Sequence, residues 1–162
     1  MERRKFLGLG MGVAALALAP ASLSAIDFRK TKPKAFTAKK VDAAITELFG
    51  TASTEEGKVT LKAPKIAENG AVVPIEIKSK LAGKTVAVFQ DANPESTVAV
   101  FTVPENGIIH YKMRIKLAKT GTVVAVVQAD GKLYSASKSV KVTAGGCGGW
   151  FNHQHNINIK QK

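Results

Sequence analysis

Cysteine is almost absent from this chain: among 162 residues there is one, Cys147. A lone cysteine excludes an intramolecular disulfide and a paired-cysteine metal or redox motif. Aromatic residues are scarce as well, at 6%. A core must therefore be built from Val, Ile, Leu and Ala, and the 45% hydrophobic content is enough for one. Acidic residues number 12 against 24 Lys and Arg. They are scattered, and no two are spaced as a general acid and base. There is no Gly-rich phosphate loop with its lysine and no Gly-x-Ser-x-Gly elbow. Together these absences argue against a self-contained enzyme.

Arginine is nearly missing after residue 25, where Arg29 and Arg114 alone remain. Arginine is the usual reader of bases. The lysines are spread along alternating strand positions, without the stacking aromatics of a nucleic-acid surface. The formal net charge of +12 therefore points away from nucleic acid. Two other readings account for it: soluble strand faces and edges, or attraction of an anionic small molecule or an acidic protein.

What is present begins with "MERRKFLGLGMGVAALALAPASLSA", residues 1–25. A charged start, an apolar run from Leu7 to Ala19 and small residues after it have the layout of an export signal. The run falls short of the ~20 residues of a membrane span. Arg3 and Arg4 are followed by Lys5, Phe6 and Leu7, as in a twin-arginine signal. The expectation is export and cleavage near Ala21 or Ala25, with no membrane span left in the mature chain. Export leads to an oxidising compartment, where structural cysteines come in pairs. Cys147 is then a free thiol, an intermolecular partner or a modified residue.

Residues 26–36 read as a basic, unstructured lead-in. A single domain is expected over 37–142. "TAKKVDAAITELFG" opens it as a helix, with Val41, Ala44, Ile45 and Leu48 on one face, Thr37 as N-cap and Gly50 beyond the C-terminus. From Lys58 the period becomes two. "VVPIEIKSKL", "KTVAVFQ", "STVAVFTV", "IIHYKMRIKL", "TVVAVVQA" and "GKLYSASKSVKVT" read as strands, the fifth apolar throughout as if covered on both faces. Turn signals such as Asn106-Gly107 and Asp130-Gly131 separate them. About seven strands over about 90 residues predict an all-β fold, an immunoglobulin-like antiparallel β-sandwich with an N-terminal helix. His110 falls on the polar side of its strand and is expected to be exposed.

After Val142 the pattern stops. Residues 143–149 carry Cys147 between Gly145-Gly146 and Gly148-Gly149. Glycine is costly to order, so a flexible C-terminal arm is expected. Counted from Val142, it would reach roughly 16 Å at ~3.3 Å per residue. With no side chain on either neighbour, the thiol and any group on it could enter a narrow cleft of another protein.

"VKVTAGGCGG" resembles the C-terminal motif of the SoxY family, the sulfur-carrier subunits of the bacterial thiosulfate-oxidising Sox system. The resemblance extends through "APKIAENGAVVPIEI", "VDAAITELFG" and the Arg3-Arg4 signal. It implies a non-catalytic, periplasmic carrier that holds thiosulfate-derived sulfur covalently on Cys147, with no other cofactor and no resident metal. It also implies a heterodimer with SoxZ. Further implied partners are the c-type cytochrome SoxAX, the thiosulfohydrolase SoxB and, in some organisms, the sulfane dehydrogenase SoxCD. Thiosulfate is a dianion, and a basic chain favours its approach.

The family motif usually ends the chain, whereas residues 150–162, "WFNHQHNINIKQK", follow it here. Trp150 and Phe151 would crowd an arm entering a cleft. His153 and His155 with Cys147 have the makings of a soft metal site, though a lineage-specific extension, a processed tail or an altered reading frame is the simpler reading. The alternative function from another class is an exported immunoglobulin-like metal-binding or adhesion module.

Overall fold

A computed structural model describes residues 26–144. The signal residues Arg3 and Arg4, the glycines 145, 146, 148 and 149, Cys147 and the tail 150–162 lie outside the described residues.

Two short helices, α1 (Phe28–Thr31) and α2 (Pro33–Thr37), come first, then α3 (Val41–Phe49). The lead-in is thus helical over much of its length, contrary to the expectation. The causes are local and tertiary. The Asp27 carboxylate accepts the amides of Arg29 and Lys30 at 3.1 and 3.3 Å, which satisfies donors that a helix start leaves free. Pro33 then sets the backbone angle of the first turn of α2. Ala35 is fully buried, and Phe28 and Phe36 pack beside it.

Thr37 is the last residue of α2 and not the cap of α3; Lys40 occupies that place without a side-chain bond. Between them Ala38 is extended, and its carbonyl accepts the Ser96 amide at 2.8 Å. That bond ties the turn to the neighbouring strand and delays the helix to Val41. The predicted apolar face of α3 is present: Ala44, Ile45 and Leu48 are buried and Val41 is half-buried. Gly50 closes the helix at φ 86°, a left-handed geometry glycine adopts freely.

Nine strands follow among the described residues. They are β1 (Glu55–Glu56), β2 (Val59–Lys62), β3 (Ile66–Asn69), β4 (Val73–Ser79), β5 (Thr85–Gln90), β6 (Thr97–Thr102), β7 (Ile109–Ile115), β8 (Gly121–Ala129) and β9 (Lys132–Ala144). They form two sheets. The larger has the order β1-β9-β8-β5-β6, with β3 also on β9; the smaller is β2-β4-β7. The fold is the expected all-β sandwich with a short N-terminal helical segment. Two short pairings, β1 and β3 on β9, are parallel; the rest are antiparallel.

The core lies between the sheets. Val86 and Val88 of β5, Val123, Ala125 and Val127 of β8, and Ile75 and Ile77 of β4 meet there. The alternate residues of β5 and β8, Ala87, Phe89 and Val126, face the other way and pack under α2 and α3 with Ile45 and Leu48. This is why those two strands are apolar throughout: each is covered on both faces. The β8–β9 hairpin turns through Asp130 (φ 51°) and Gly131 (φ 74°). Two successive positive φ angles suit the right-handed twist of a two-residue hairpin.

At one end of the sandwich, buried Gln90 organises the loop after β5. Its amide nitrogen donates to Glu95 O, and its carbonyl oxygen accepts the amides of Ala92 and Asn93. Asn93 in turn donates to Lys116 O and accepts the Ala118 amide. The loops after β5 and β7 are thereby joined.

Candidate functional site

The chain that leads to Cys147 is β9, and its far end is held from two sides. Val140 is the last residue of β9 to face β8, opposite Gly121. Beyond it, β3 takes over in parallel register: Ile66 faces Lys141, Ala67 faces Val142 and Asn69 faces Ala144. The Lys141 amide donates to Lys65 O at 2.9 Å. On the opposite side the Val142 amide donates to Thr120 Oγ1 at 3.0 Å. Residues 143 and 144, expected to belong to the arm, are therefore strand. Three residues carry the chain from Ala144 to Cys147, so the Cys147 Cα lies within about 11 Å of the Ala144 Cα. That is a shorter reach than the one counted from Val142.

The surroundings of this root are basic and partly apolar. Lys65 and Lys141 lie along the paired strands. Ile66 and Val72 are exposed at 57% and 51% and supply the apolar part. The turn between β3 and β4 is fixed by the Asn69 side chain, which accepts the Ala71 amide at 2.8 Å. Gly70 O accepts the Leu117 amide at 2.7 Å. The arm root, the β3–β4 turn and the loop after β7 thus belong to one end of the sandwich.

A second cluster lies on the outer face of the smaller sheet, and sequence reasoning did not single it out. Register places Lys62 and Lys112 on either side of Glu76. Glu76 Oε1 is 3.0 Å from Lys78 Nζ, 2.7 Å from His110 Nε2 and 3.7 Å from Lys112 Nζ, and Oε2 is 3.8 Å from Lys62 Nζ. Hydrogen bonds from Lys78 and then His110 hold the Glu76 carboxyl down at about 2, against an ordinary 4.5. His110 is exposed, as expected, but engaged. The signal that could have found this cluster is weak: one Glu among lysines in runs of period two, whose pairing depends on the strand register.

No group of three or more His, Cys, Asp or Glu able to hold a metal occurs among the described residues. His153 and His155, the residues named with Cys147 for such a site, lie outside them. Among the described residues no helix is long and apolar enough to cross a membrane.

Comparison with known proteins identifies the domain. A family profile described as "Sulfur oxidation protein SoxY" matches residues 45–147. The chain belongs to the SoxY family. The matched segment starts in α3, spans both sheets and ends on Cys147. A solved structure, the sulfur carrier protein SoxY from Chlorobium limicola f thiosulfatophilum, is 41% identical. The alignment covers 67% of this chain and 96% of that one, with a TM-score of 0.59. A superoxide reductase (neelaredoxin) from Ignicoccus hospitalis aligns at 13% identity over 53% of this chain and 80% of its own, with a TM-score of 0.48. No curated protein matches the sequence.

Proposed function

We propose that this SoxY-family chain is a non-catalytic sulfur carrier that binds thiosulfate-derived sulfur covalently on Cys147 Sγ. The observation that carries the proposal is the family match, whose range, residues 45–147, takes in the strand β9 and Cys147. The anchored root supports it. A strand held by β3 and Thr120 fixes where the arm starts, while Gly145, Gly146, Gly148 and Gly149 leave the thiol without neighbouring side chains. The exported, twin-arginine reading of Arg3 and Arg4 places the carrier in the periplasm. SoxZ is its heterodimer partner, and SoxAX, SoxB and, in organisms that have it, SoxCD are the enzymes it visits.

The chemistry asks little of the carrier beyond a nucleophilic sulfur. Loading joins Sγ to the outer sulfur of thiosulfate: Cys-SH and S2O3(2−) give Cys-S-S-SO3(−), one proton and two electrons. The electrons pass to the c-type cytochrome SoxAX. Hydrolysis of the terminal S–S bond by water at SoxB then releases sulfate and a proton and leaves the persulfide Cys-S-SH. Neither step needs an acid, a base or a metal from this chain.

The test is thiosulfate oxidation reconstituted from purified Sox proteins with Cys147→Ser in place of the native chain. Cytochrome reduction should be abolished, since an alcohol is a far poorer nucleophile than a thiolate near neutral pH. Full activity of the variant would refute the proposal.

A further inference from the structure

The outer face of the larger sheet is covered by α2 and α3. The outer face of β2-β4-β7 has no such cover among the described residues. Its outward positions hold Lys62, Lys78, Lys112 and Arg114 against a single carboxylate, Glu76. A face built for solubility alone gains by setting opposite charges across from one another. Here one carboxylate is shared by three lysines and His110, and Arg114 lies opposite Pro74. Like charges are crowded, and a surplus of positive charge is left facing outward.

Two open grooves flank this cluster. One, of about 760 Å³, runs past Lys62, Pro64, Pro74 and Arg114, with Met113 in its wall. The other, of about 690 Å³, is lined in part by Leu81 and Ile108. Ile108 is 86% exposed. The face therefore has a cationic centre with apolar ground at both ends, the pattern of a protein docking surface. Its outward positions include one Arg and no Phe, Tyr or Trp, which does not suit single-stranded nucleic acid.

We propose that this face docks an acidic protein surface, whose carboxylates complete the Glu76 cluster and whose apolar side chains enter the two grooves. The first groove adjoins the arm root: from Lys62 the chain passes through Ala63, Pro64 and Lys65 to Ile66, which faces Lys141 of β9. A partner seated here lies beside the strand that leads to Cys147. The docking itself does not depend on the thiol.

The probe is a hexaglutamate peptide titrated into the 15N-labelled intact chain. Shifts should concentrate in β2, β4 and β7. The Lys78→Glu/Lys112→Glu variant should bind about tenfold more weakly. A charge-matched control at the start of α3, Lys39→Glu/Lys40→Glu, should change affinity by less than about twofold. Glu76→Gln, which removes only the negative charge, should tighten binding. Cys147→Ser should bind like the native chain, so a failed carrier reaction and a failed docking surface give different results. Equal losses in the two charge-reversed variants would overturn the proposal, since net charge alone would then explain binding. So would shifts centred on the helices. Preferred binding of a DNA duplex or of phosphatidylglycerol vesicles over the peptide would also overturn it, in favour of another class of partner.

Discussion

Asn69 and Ala144 face each other at the last register of the parallel β3–β9 pair. This pairing fixes the position of Ala144, three residues before Cys147 in the chain. It also places the β3–β4 turn, tied to the loop after β7 by the Leu117 amide, next to the origin of the arm.

The other side of the arm root depends on one hydroxyl. Thr120 Oγ1 accepts the Val142 amide at 3.0 Å, in an exposed position. Thr120→Val should remove about 1 kcal/mol of local stability. Amide exchange at Val142 should then rise about fivefold, while exchange at Val126 in the core stays unchanged. Hydrogen exchange read by NMR checks this. An unchanged rate at Val142 would mean that β3 alone holds the root.

Glu76 predicts a pH dependence with a definite sign. Its folded pKa is about 2, below the ordinary 4.5. A depressed carboxyl stabilises the fold fully above the unfolded value, and that contribution disappears as pH falls through the folded one. The difference in melting temperature between the native chain and Glu76→Gln should therefore be greatest above pH 4.5 and vanish below about pH 2. The carboxyl carbon of Glu76 should titrate in the same window. A midpoint near the ordinary value would show that Lys78 and His110 do not hold the carboxylate as the distances indicate.

Phe89 is fully buried on the helix side of the larger sheet. Phe89→Ala should cost about 3–5 kcal/mol, measurable by urea unfolding. A loss below about 1 kcal/mol would mean that the helices are not packed on β5 as described.

The elements that the sequence made legible are those whose own residues carry the pattern. Ile75 and Ile77 against Glu76 and Lys78 mark β4, and Asp130-Gly131 marks the hairpin. The unbroken apolar runs of β5 and β8 announce strands covered twice. β1 and β3 could not be read this way. β1 has two residues, and β3 buries only Ala67 of its four, so neither shows an alternation; the edge of β9 makes them strands. The helices α1 and α2 hide behind a basic composition; their cause is Asp27, Pro33 and the packing of Ala35. At the candidate site, Cys147 stands out from sequence through its glycines alone. Its anchored root does not, because Thr120 and β3 are distant in the chain. Glu76 is invisible until register sets it between Lys62 and Lys112.

The proposed partnership with SoxZ has a candidate contact at the β6 edge of the larger sheet. β6 pairs only with β5 among the described residues, and from Ser96 to Val103 it carries no charge. Uncharged strand edges are ordinarily protected or covered. Phe101 of β6 stacks on Tyr111 of β7 at 4.8 Å, and both are only half-buried. Co-expressed with SoxZ, the chain should elute as a stable heterodimer burying at least about 1,200 Å². Elution of both proteins as monomers at micromolar concentration would contradict this.

The central claim is that Cys147 carries sulfur, and intact-mass measurement tests it most directly. Protein isolated from the periplasm of cells oxidising thiosulfate, without reductant, should show an adduct of about 112 Da, from the atomic masses of S2O3. Fragmentation should place it on Cys147, and a thiol reductant should remove it. A chain whose Cys147 is unmodified under those conditions, and stays so after incubation with thiosulfate and oxidised SoxAX, would contradict the account.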